Sequence, residues 1–181
     1  MSTRDLVIAI AGPHGSGRST QARCIAEIFN LKYVSAGSIF RERAEELGVS
    51  LTEMSRIASA DPDFDNFLDQ RSKEESRKGG VVIDATLSAW MAEDPDLRIH
   101  LTCSLEERAR RIAERENRSF DDVLDETRFR EENEFIRFKE YYGIDLDDLS
   151  IYDLVLNTEP FDADSTARIL KNVIEEYLLG K

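Results

Sequence analysis

The chain has 181 residues, of which 41% are hydrophobic and 34% charged, and its formal net charge at pH 7 is −13. This size and composition fit a globular α/β domain with a full apolar core, and no apolar run approaches the roughly 20 residues that span a bilayer. The negative charge opposes binding to the phosphate backbone of nucleic acids. We therefore expect neither a membrane nor a nucleic acid as a partner.

Five apolar, β-branched segments alternate with helical patterns along the chain. They cover residues 6–11, 32–35, 81–84, 97–103 and 152–157. Strands that alternate with helices predict a parallel sheet covered by helices, because parallel strands need long crossover connections. The sequence thus predicts an α/β fold of three layers, in which helices wrap a five-stranded parallel sheet.

Two helical stretches are longer than a simple crossover requires. One covers about residues 36–80, between the second and third predicted strands, and the other covers about 104–150, between the fourth and fifth. No linker or low-complexity stretch interrupts the chain, so we expect both to be inserts of a single domain that spans residues 1–181. The second insert is polar and rich in arginine, which is typical of a lid over an active site.

The N-terminal residues and the cysteines bear on where the protein resides. The first apolar run follows directly on Met1-Ser-Thr-Arg-Asp, with no cationic leader and no cleavage site of small residues. Cys24 and Cys103 have no partners at metal-ligand spacing, which favours buried, reduced thiols. We expect a cytoplasmic monomer.

A glycine-rich loop follows the first predicted strand and leads into a helical pattern. Its residues are Gly12, Pro13, His14, Gly15, Ser16, Gly17, Arg18, Ser19 and Thr20. Glycines let successive amides turn inward around a phosphate, and the helix adds its positive N-terminal end. In the pattern GxxxxGK[ST], the hydroxyl residue, here Ser19, binds Mg²⁺ and the preceding cation reaches the β- and γ-phosphates. We predict that this loop binds ATP in a P-loop NTPase-type fold and that His14 faces solvent.

Arg18 stands where the loop pattern has lysine. A guanidinium keeps the charge, but it is planar, bulkier and forked, whereas an ammonium is a compact point charge. Two interpretations are open: a neutral replacement in a chain that uses little lysine, or a specialised or impaired site.

The third predicted strand, 81–84, ends in the carboxylate of Asp84. A carboxylate at this position commonly holds a magnesium-bound water beside a phosphate loop. The alternative is that Asp84 only caps a turn. We favour the magnesium role because the phosphate loop is present.

Four arginines in the second insert form two pairs, and the spacing within each pair places its two members on the same face of a helix. Arg111 and Arg115 are one turn apart, and Arg130 and Arg137 are separated by nearly two turns. Cations gathered around the transferred phosphoryl group supply most of the acceleration in phosphoryl transfer. We expect these arginines to converge on a polyphosphate; the alternative is surface ion pairing with nearby glutamates.

Three further motifs resemble the archaeal-type cytidylate kinases, over nearly the whole chain. The motifs are Val34-Ser-Ala-Gly-Ser-Ile-Phe-Arg-Glu42, Leu87-Ser-Ala-Trp90 and the long segment from Tyr142 to Thr158. The resemblance implies a core sheet with an acceptor-binding insert and a lid, and transfer of the γ-phosphoryl group of ATP to CMP or dCMP. It also raises Arg130 and Arg137 above the other lid arginines as catalytic residues.

The same resemblance implies residues that bind the acceptor. Ser35, Gly37 and Arg41 match the acceptor's clamp, with Arg41 on its phosphate. Asp69 and Arg71 match a pair that reads the base edge, although an exposed, salt-bridged helix face is the alternative.

The chain departs from the family's pattern after the third strand, where Glu-Gly-Arg-Leu-Ser-Gly-Trp is replaced by Asp84-Ala-Thr-Leu-Ser-Ala-Trp90. Thr86 stands where the pattern has an arginine that is aimed at the acceptor's phosphate. Either another arginine compensates, Arg41 or Arg71 being nearest in the motifs, or the acceptor differs from CMP. A nucleotide-binding module with impaired catalysis, or a kinase for another small acceptor, are the alternative functions.

Overall fold

The computed structural model describes residues 5–50, 53–54, 56–57 and 64–181. The strands are β1 (Val7–Ala11), β2 (Lys32–Ser35), β3 (Val81–Asp84), β4 (Leu97–Thr102) and β5 (Leu154–Asn157). All neighbours pair in parallel, and the order across the sheet is β2-β3-β1-β4-β5. The predicted five-stranded parallel sheet is confirmed.

Helices connect the strands. In the described residues they are α1 (Arg18–Phe29), α2 (Ala36–Glu46), α3 (Phe64–Lys78), α4 (Ser88–Met91), α5 (Leu105–Glu116), α6 (Phe120–Tyr142) and α7 (Ala163–Leu179), with a 3₁₀ helix at Leu149–Ile151. The first predicted insert contains α2 and α3, and parts of it lie outside the described residues; the second contains α5 and α6. None of the described helices is long and apolar enough to cross a membrane.

The sheet is buried between two helical layers because its central strand is apolar on both faces. On one face, Ile8 and Ile10 of β1 pack with Ile25 of α1 and with Leu170 and Ile174 of α7. The apolar cluster on the opposite face consists of Val7, Ala9, Val34, Ile39, Val81, Ile83 and Ala92, with Phe67 and Leu68 of α3 packed against it. Continuous apolar strands are what a doubly covered parallel sheet requires, so the predicted three-layer fold is confirmed.

The strand register brings three chain segments to one edge of the sheet. Ile10 of β1 and Ser35 of β2 both lie opposite Asp84 of β3. The loop after β1, the start of α2 and the end of β3 are therefore neighbours. Ligands in open α/β sheets bind at this edge, outside the carboxyl ends of the strands.

Helix α6 is attached to the rest of the molecule near both of its ends. Near its start, Val123 packs on Ala109 of α5. Near its end, Phe138 packs in a small cluster with Leu87, against which the chain's single tryptophan, Trp90, also packs. The middle of α6 carries polar side chains past the glycine loop.

Tyr152 closes the 3₁₀ helix instead of opening the fifth strand. Its backbone N–H donates to the carbonyl of Leu149, so β5 starts two residues later than predicted. The Tyr152 ring packs edge-on against Trp90, with ring centroids 5.8 Å apart, and against His100 of β4 at 4.8 Å. Burial raises the pKa of Tyr152 far above its ordinary value.

Candidate active site

Two glycines shape the loop between β1 and α1. Gly12 has a φ of 142°, and a Cβ there would lie 2.2 Å from the carbonyl oxygen of Leu101. Gly15 has a φ of 81°, and a Cβ there would lie 2.7 Å from the carbonyl oxygen of Arg108. Side chains rarely adopt these conformations and would clash with backbone here, so the loop's path depends on glycine.

A cavity of about 700 Å³, here the loop cavity, opens over the glycine loop. It is lined by residues 13–21 of the loop and α1, by Thr158 after β5, and by four arginines of α5, of α6 and of the turn between them: Arg111, Arg115, Arg118 and Arg130. Gly17 caps α1 without a side-chain hydrogen bond, so the N–H groups of the first turn remain available to a ligand. The volume is that of a small-molecule site. Gly12 is not in this wall, although it forms the turn that leads into it.

Arg111 of α5 is fixed on the wall of the loop cavity. Its guanidinium donates to the hydroxyl of Thr158 at 3.0 Å, to the Thr158 carbonyl at 3.1 Å, and to the glutamate one turn earlier. The Thr158 hydroxyl donates to the carbonyl of Ser16 at 3.0 Å, which connects β5 to the loop. Arg115 lines the same cavity, but its side chain is 68% exposed and pairs with a neighbouring glutamate.

A second cavity of about 470 Å³, here the insert cavity, lies between the carboxyl edge of the sheet, α2, α3 and α6. Among the residues predicted to bind the acceptor, it is lined by Ser35, Gly37, Arg41 and Asp69. Ser35 and Ser38 form a reciprocal capping box that starts α2 and sets the direction of its first turn. Gly37 and Arg41 are neighbours on this wall: a Cβ at position 37 would lie 3.5 Å from Nη1 of Arg41, which is an ordinary contact distance.

The two members of the predicted base-reading pair are placed differently. Asp69 of α3 lines the insert cavity and accepts a 2.8 Å hydrogen bond from the hydroxyl of Tyr142, at the end of α6. Within the described residues, Arg71 is not part of that cavity's wall. Its carboxylate neighbours, 3.5 to 3.8 Å away, are Glu42, Glu46 and Glu74. The placement of Arg71 matches the salt-bridged alternative.

Asp84 is 2% exposed and uses both of its carboxylate oxygens. Oδ1 accepts from Nε of Arg18 at 2.5 Å, and Oδ2 accepts from the hydroxyl of Tyr33 at 2.7 Å. Burial, together with the neighbouring carboxylate, raises the pKa of Tyr33. Arg18 also donates from Nη1 to the carbonyl of Gly12 at 2.7 Å and to the hydroxyl of Thr86 at 3.1 Å. The arginine that contacts Thr86 is therefore Arg18, and not Arg41 or Arg71, which the motifs suggested.

Ser19 and Asp84 offer oxygen ligands of the kind that Mg²⁺ prefers. Each carboxylate oxygen has a second lone pair, so Asp84 can accept another bond, from a metal-bound water, beside its bonds to Arg18 and Tyr33. Among the described residues, no cluster of three or more His, Cys, Asp or Glu side chains could hold a metal. The residues fit an ion that arrives with a polyphosphate and keeps several waters.

Arg108 of α5 connects α6 to the glycine loop. This buried guanidinium donates to the carbonyl of Cys103 at 3.1 Å, to the carbonyl of His14 at 2.9 Å, and to both carboxylate oxygens of Glu131 on α6. One side chain therefore holds the loop backbone, the start of α5 and the middle of α6 together. The sequence reasoning did not single out this residue.

The prediction that His14 faces solvent, made from its place in the variable part of the loop, is wrong. Its side chain is 20% exposed, and Nε2 lies 3.0 Å from a carboxylate oxygen of Glu134 on α6. Arg130 donates to the same carboxylate at 3.2 Å. Burial alone would raise the pKa of Glu134, but hydrogen bonds and the charges of His14 and Arg130 lower it below its ordinary value. His14 is covered because α6 crosses directly over the loop.

The two cavities meet above the glycine loop. Four residues line both of them: His14, Arg18, Ser19 and Arg130. Arg137, one of the four arginines expected on a single polyphosphate, lines only the insert cavity, whereas Arg111 and Arg115 line only the loop cavity. The arginines of the second predicted insert are thus divided between two adjoining cavities.

A glycine loop between a central parallel strand and a helix, on a sheet of this order, defines the P-loop NTPase class. Solved structures show the same fold. An uncharacterized protein from Eubacterium ventriosum superposes with a TM-score of 0.69 and 16% identity, over 94% of this chain and 98% of its own. Shikimate kinase from Bacteroides thetaiotaomicron has a TM-score of 0.60 and 15% identity at the same coverage.

Sequence comparison identifies the family. A model of the cytidylate kinase-like family matches residues 7–160. The cytidylate kinase of Staphylothermus marinus is 49% identical over 96% of this chain and 98% of its own, and that of Methanocaldococcus jannaschii is 43% identical over 94% and 98%. The cytidylate kinase of Haloarcula marismortui is 40% identical over 95% and 91%. The chain belongs to the cytidylate kinase-like family, which confirms the resemblance found in its motifs.

Proposed function

We propose that this chain transfers the γ-phosphoryl group of ATP to cytidine monophosphate or its deoxy form, producing the diphosphate and ADP. The observation that carries the proposal is the junction of the two cavities, where four residues line both. Relatives that are named cytidylate kinase and match over nearly the full length support it. An impaired binding module and a kinase for another acceptor are therefore not favoured.

The loop cavity would hold the triphosphate of ATP. Backbone amides of the glycine loop and of the first turn of α1 are directed donors, and they complement the phosphates without any rearrangement of side chains. Arg111, fixed by Thr158, would add a cation, and Arg115 a more exposed one. The matching experiment is calorimetric titration with ATP in the absence of any acceptor.

The insert cavity would hold the nucleoside monophosphate. Arg41 would pair with the acceptor's phosphate, since a guanidinium meets phosphate oxygens in pairs, while Ser35 and Gly37 shape the wall beside it. Asp69 would accept a hydrogen bond from the amino group of cytosine, which uracil lacks. Arg71, outside this wall, has no role in the proposal.

Transfer would take place where the cavities join. An oxygen of the acceptor's phosphate attacks the γ-phosphorus, the bond to the β–γ bridging oxygen breaks, and that electron pair leaves with ADP. Protein groups do little covalent chemistry in such a step, so positioning and charge stabilisation dominate. Arg130, in the wall of both cavities, and Arg137, in the wall of the insert cavity, would stabilise the charge on the transferred group.

We also propose that ATP binds as its magnesium complex. The Ser19 hydroxyl would be a ligand of the ion, and Asp84 would hold one of its waters. Bound Mg²⁺ neutralises part of the charge on the β- and γ-phosphates. Removal of divalent cations with a chelator should abolish turnover, and restoring Mg²⁺ should recover it.

The proposal is tested by following ADP formation with CMP, dCMP, UMP and AMP as acceptors. Turnover that requires a monophosphate and is fastest with CMP or dCMP is the expected result. No turnover with any of the four would overturn the proposal. Tight ATP binding without CMP binding, measured by calorimetry, would instead support the impaired module.

A further inference from the structure

Arg18 belongs to the glycine loop and lines both cavities, but its guanidinium is anchored mainly on residues of the insert cavity. Two of its three acceptors, Asp84 at 2.5 Å and Thr86 at 3.1 Å, come from the end of β3 and the residues after it. Both line the insert cavity and neither lines the loop cavity. The third acceptor, the carbonyl of Gly12 at 2.7 Å, fixes the side chain against its own loop.

One nitrogen of the Arg18 guanidinium is available to a ligand. Its bonds use Nε and Nη1, and within the described part of the chain Nη2 donates to no protein atom. The side chain is only 15% exposed, so these two N–H groups lie at a largely buried cation beside a cavity. Nη2 is not among the buried side-chain atoms that lack a partner, so it is accessible from the cavity, where a ligand can accept its hydrogen bonds.

The charges around the insert cavity fit an anion at this position. Its wall contains five arginines and three carboxylates: Arg18, Arg23, Arg41, Arg130 and Arg137 against Asp69, Asp84 and Glu134. Asp84 is already paired with Arg18, and Glu134 with Arg130. Arginines outnumber carboxylates in this wall, so its net charge is positive. A positive wall suits a phosphate monoester, whose second ionisation gives it nearly two negative charges at neutral pH.

We propose that Arg18 binds the phosphate of the acceptor nucleotide through Nη2, so that it belongs to the acceptor side of the reaction. The planar fork is what allows this: one edge is anchored on Asp84 and Thr86 while the other nitrogen reaches the ligand. A lysine has a single nitrogen and cannot make both sets of contacts from one place. The inference rests on the proposed function, in that the acceptor is a nucleoside monophosphate.

The test is Arg18→Lys, with the dissociation constants of CMP and of ATP measured separately by calorimetry. Loss of charge-assisted hydrogen bonds should weaken CMP binding about tenfold or more, with the ATP constant changed by less than about threefold. Arg77→Lys is the matched control, because Arg77 pairs with Glu93 and lines neither cavity. Weaker ATP binding with unchanged CMP binding would overturn the inference, and so would unchanged CMP binding with increased turnover.

Thr86 provides a second test, because it would act only through Arg18. Thr86→Val removes the hydroxyl that holds Nη1 and should raise the KM for CMP by about threefold with little change in kcat. In the Arg18→Lys background, the same substitution should have no further effect on CMP binding. An equal effect in both backgrounds would show that Thr86 does not position Arg18. A wild-type protein that neither binds nor phosphorylates CMP would instead overturn the proposed function itself, before any variant is compared.

Discussion

In the proposed function both the loop cavity and the insert cavity hold phosphate, but they offer different donors for it. The loop cavity presents backbone amides from one continuous segment, and two of its arginines, Arg111 and Arg118, are already paired with glutamates of α5 and α6. The insert cavity presents side chains from separate elements, such as Arg18 of α1, Arg41 of α2 and Asp69 of α3. The backbone donors of the first come from one segment of the chain, whereas the side chains of the second meet only when the sheet assembles.

This difference determines how each cavity should respond to substitution. Backbone donors cannot be removed one by one, so the loop cavity is most sensitive to changes in the loop's path. Side-chain donors can be removed singly, so the insert cavity should lose acceptor affinity in separate steps.

The largest effect is expected from Gly15→Ala. A methyl group would meet the carbonyl oxygen of Arg108 at 2.7 Å, and the strained φ would add to the cost. Displacement of the loop should lower kcat/KM for ATP by about 100-fold. Gly17→Ala is the matched control, since Gly17 has a similar φ of 88° but its Cβ would meet nothing within 4 Å. Equal losses in steady-state assays of the two variants would show that strain alone, and not the clash, is responsible.

Arg111→Ala should have the next largest effect, and it tests whether the loop cavity also depends on side chains. Because Arg111 is held in place by Thr158, its loss should raise the KM for ATP by about 30-fold. Arg115→Ala should cost much less, since that side chain is 68% exposed. If the two variants have the same KM for ATP, the hydrogen bonds from Arg111 to Thr158 do not contribute to ATP binding.

Arg41→Ala sharpens the comparison from the other cavity. It should raise the KM for CMP by about tenfold and leave the KM for ATP nearly unchanged, because Arg41 lines the insert cavity alone. Arg43→Ala, two residues along α2, is the control, since Arg43 pairs with Glu46 and lines neither cavity. A rise in the KM for ATP would contradict the assignment of Arg41 to the acceptor alone.

The smallest effect concerns the contact between α6 and the loop. The pKa of Glu134 is lowered in the folded protein, so the carboxylate stabilises the fold above its unfolded pKa, and this contribution is lost as the pH falls through the folded pKa. Glu134→Gln should cost about 1 kcal/mol in the free energy of unfolding at pH 7. The difference from wild type should shrink as the pH falls below the ordinary pKa of glutamate and vanish once the pH lies below the lowered pKa of the folded state.

Urea unfolding at a series of pH values measures this difference. Glu132→Gln is the control on the same helix, because Glu132 is exposed and has no ion pair within the described residues. A destabilisation by Glu134→Gln that does not change between pH 7 and pH 3 would contradict the assigned role of the charge.

The sequence predicted those features that a short segment encodes. The apolar runs identified every strand, and the glycine spacing identified the loop, because each depends on residues that are close in the chain. Thr158 was missed, although a hydroxyl directly after the predicted fifth strand could have suggested it. Tyr33 and Thr86 were not assigned contacts because those contacts form only in the assembled sheet.

Contacts between distant residues were beyond the sequence pattern. His14 and Glu134 are 120 positions apart, and Arg108 and His14 are 94 apart. No periodicity connects such residues, so the solvent-facing prediction for His14 was wrong and Arg108 was not noticed. Arg71 is a mixed case: Glu74 is three residues away on the same helix, so a salt-bridged helix face could be stated from spacing, whereas the contacts with Glu42 and Glu46 of α2 form only when the two helices pack.

The packing of Trp90 gives this enzyme family member a built-in optical reporter. The single indole lies in the cluster formed by Leu87 and Phe138, and both of those residues also line the insert cavity. Any ligand that shifts α6 at this end changes the surroundings of the only indole in the chain. We therefore expect intrinsic fluorescence to report occupancy of the insert cavity, without a label and without turnover, and a titration with CMP alone measures it.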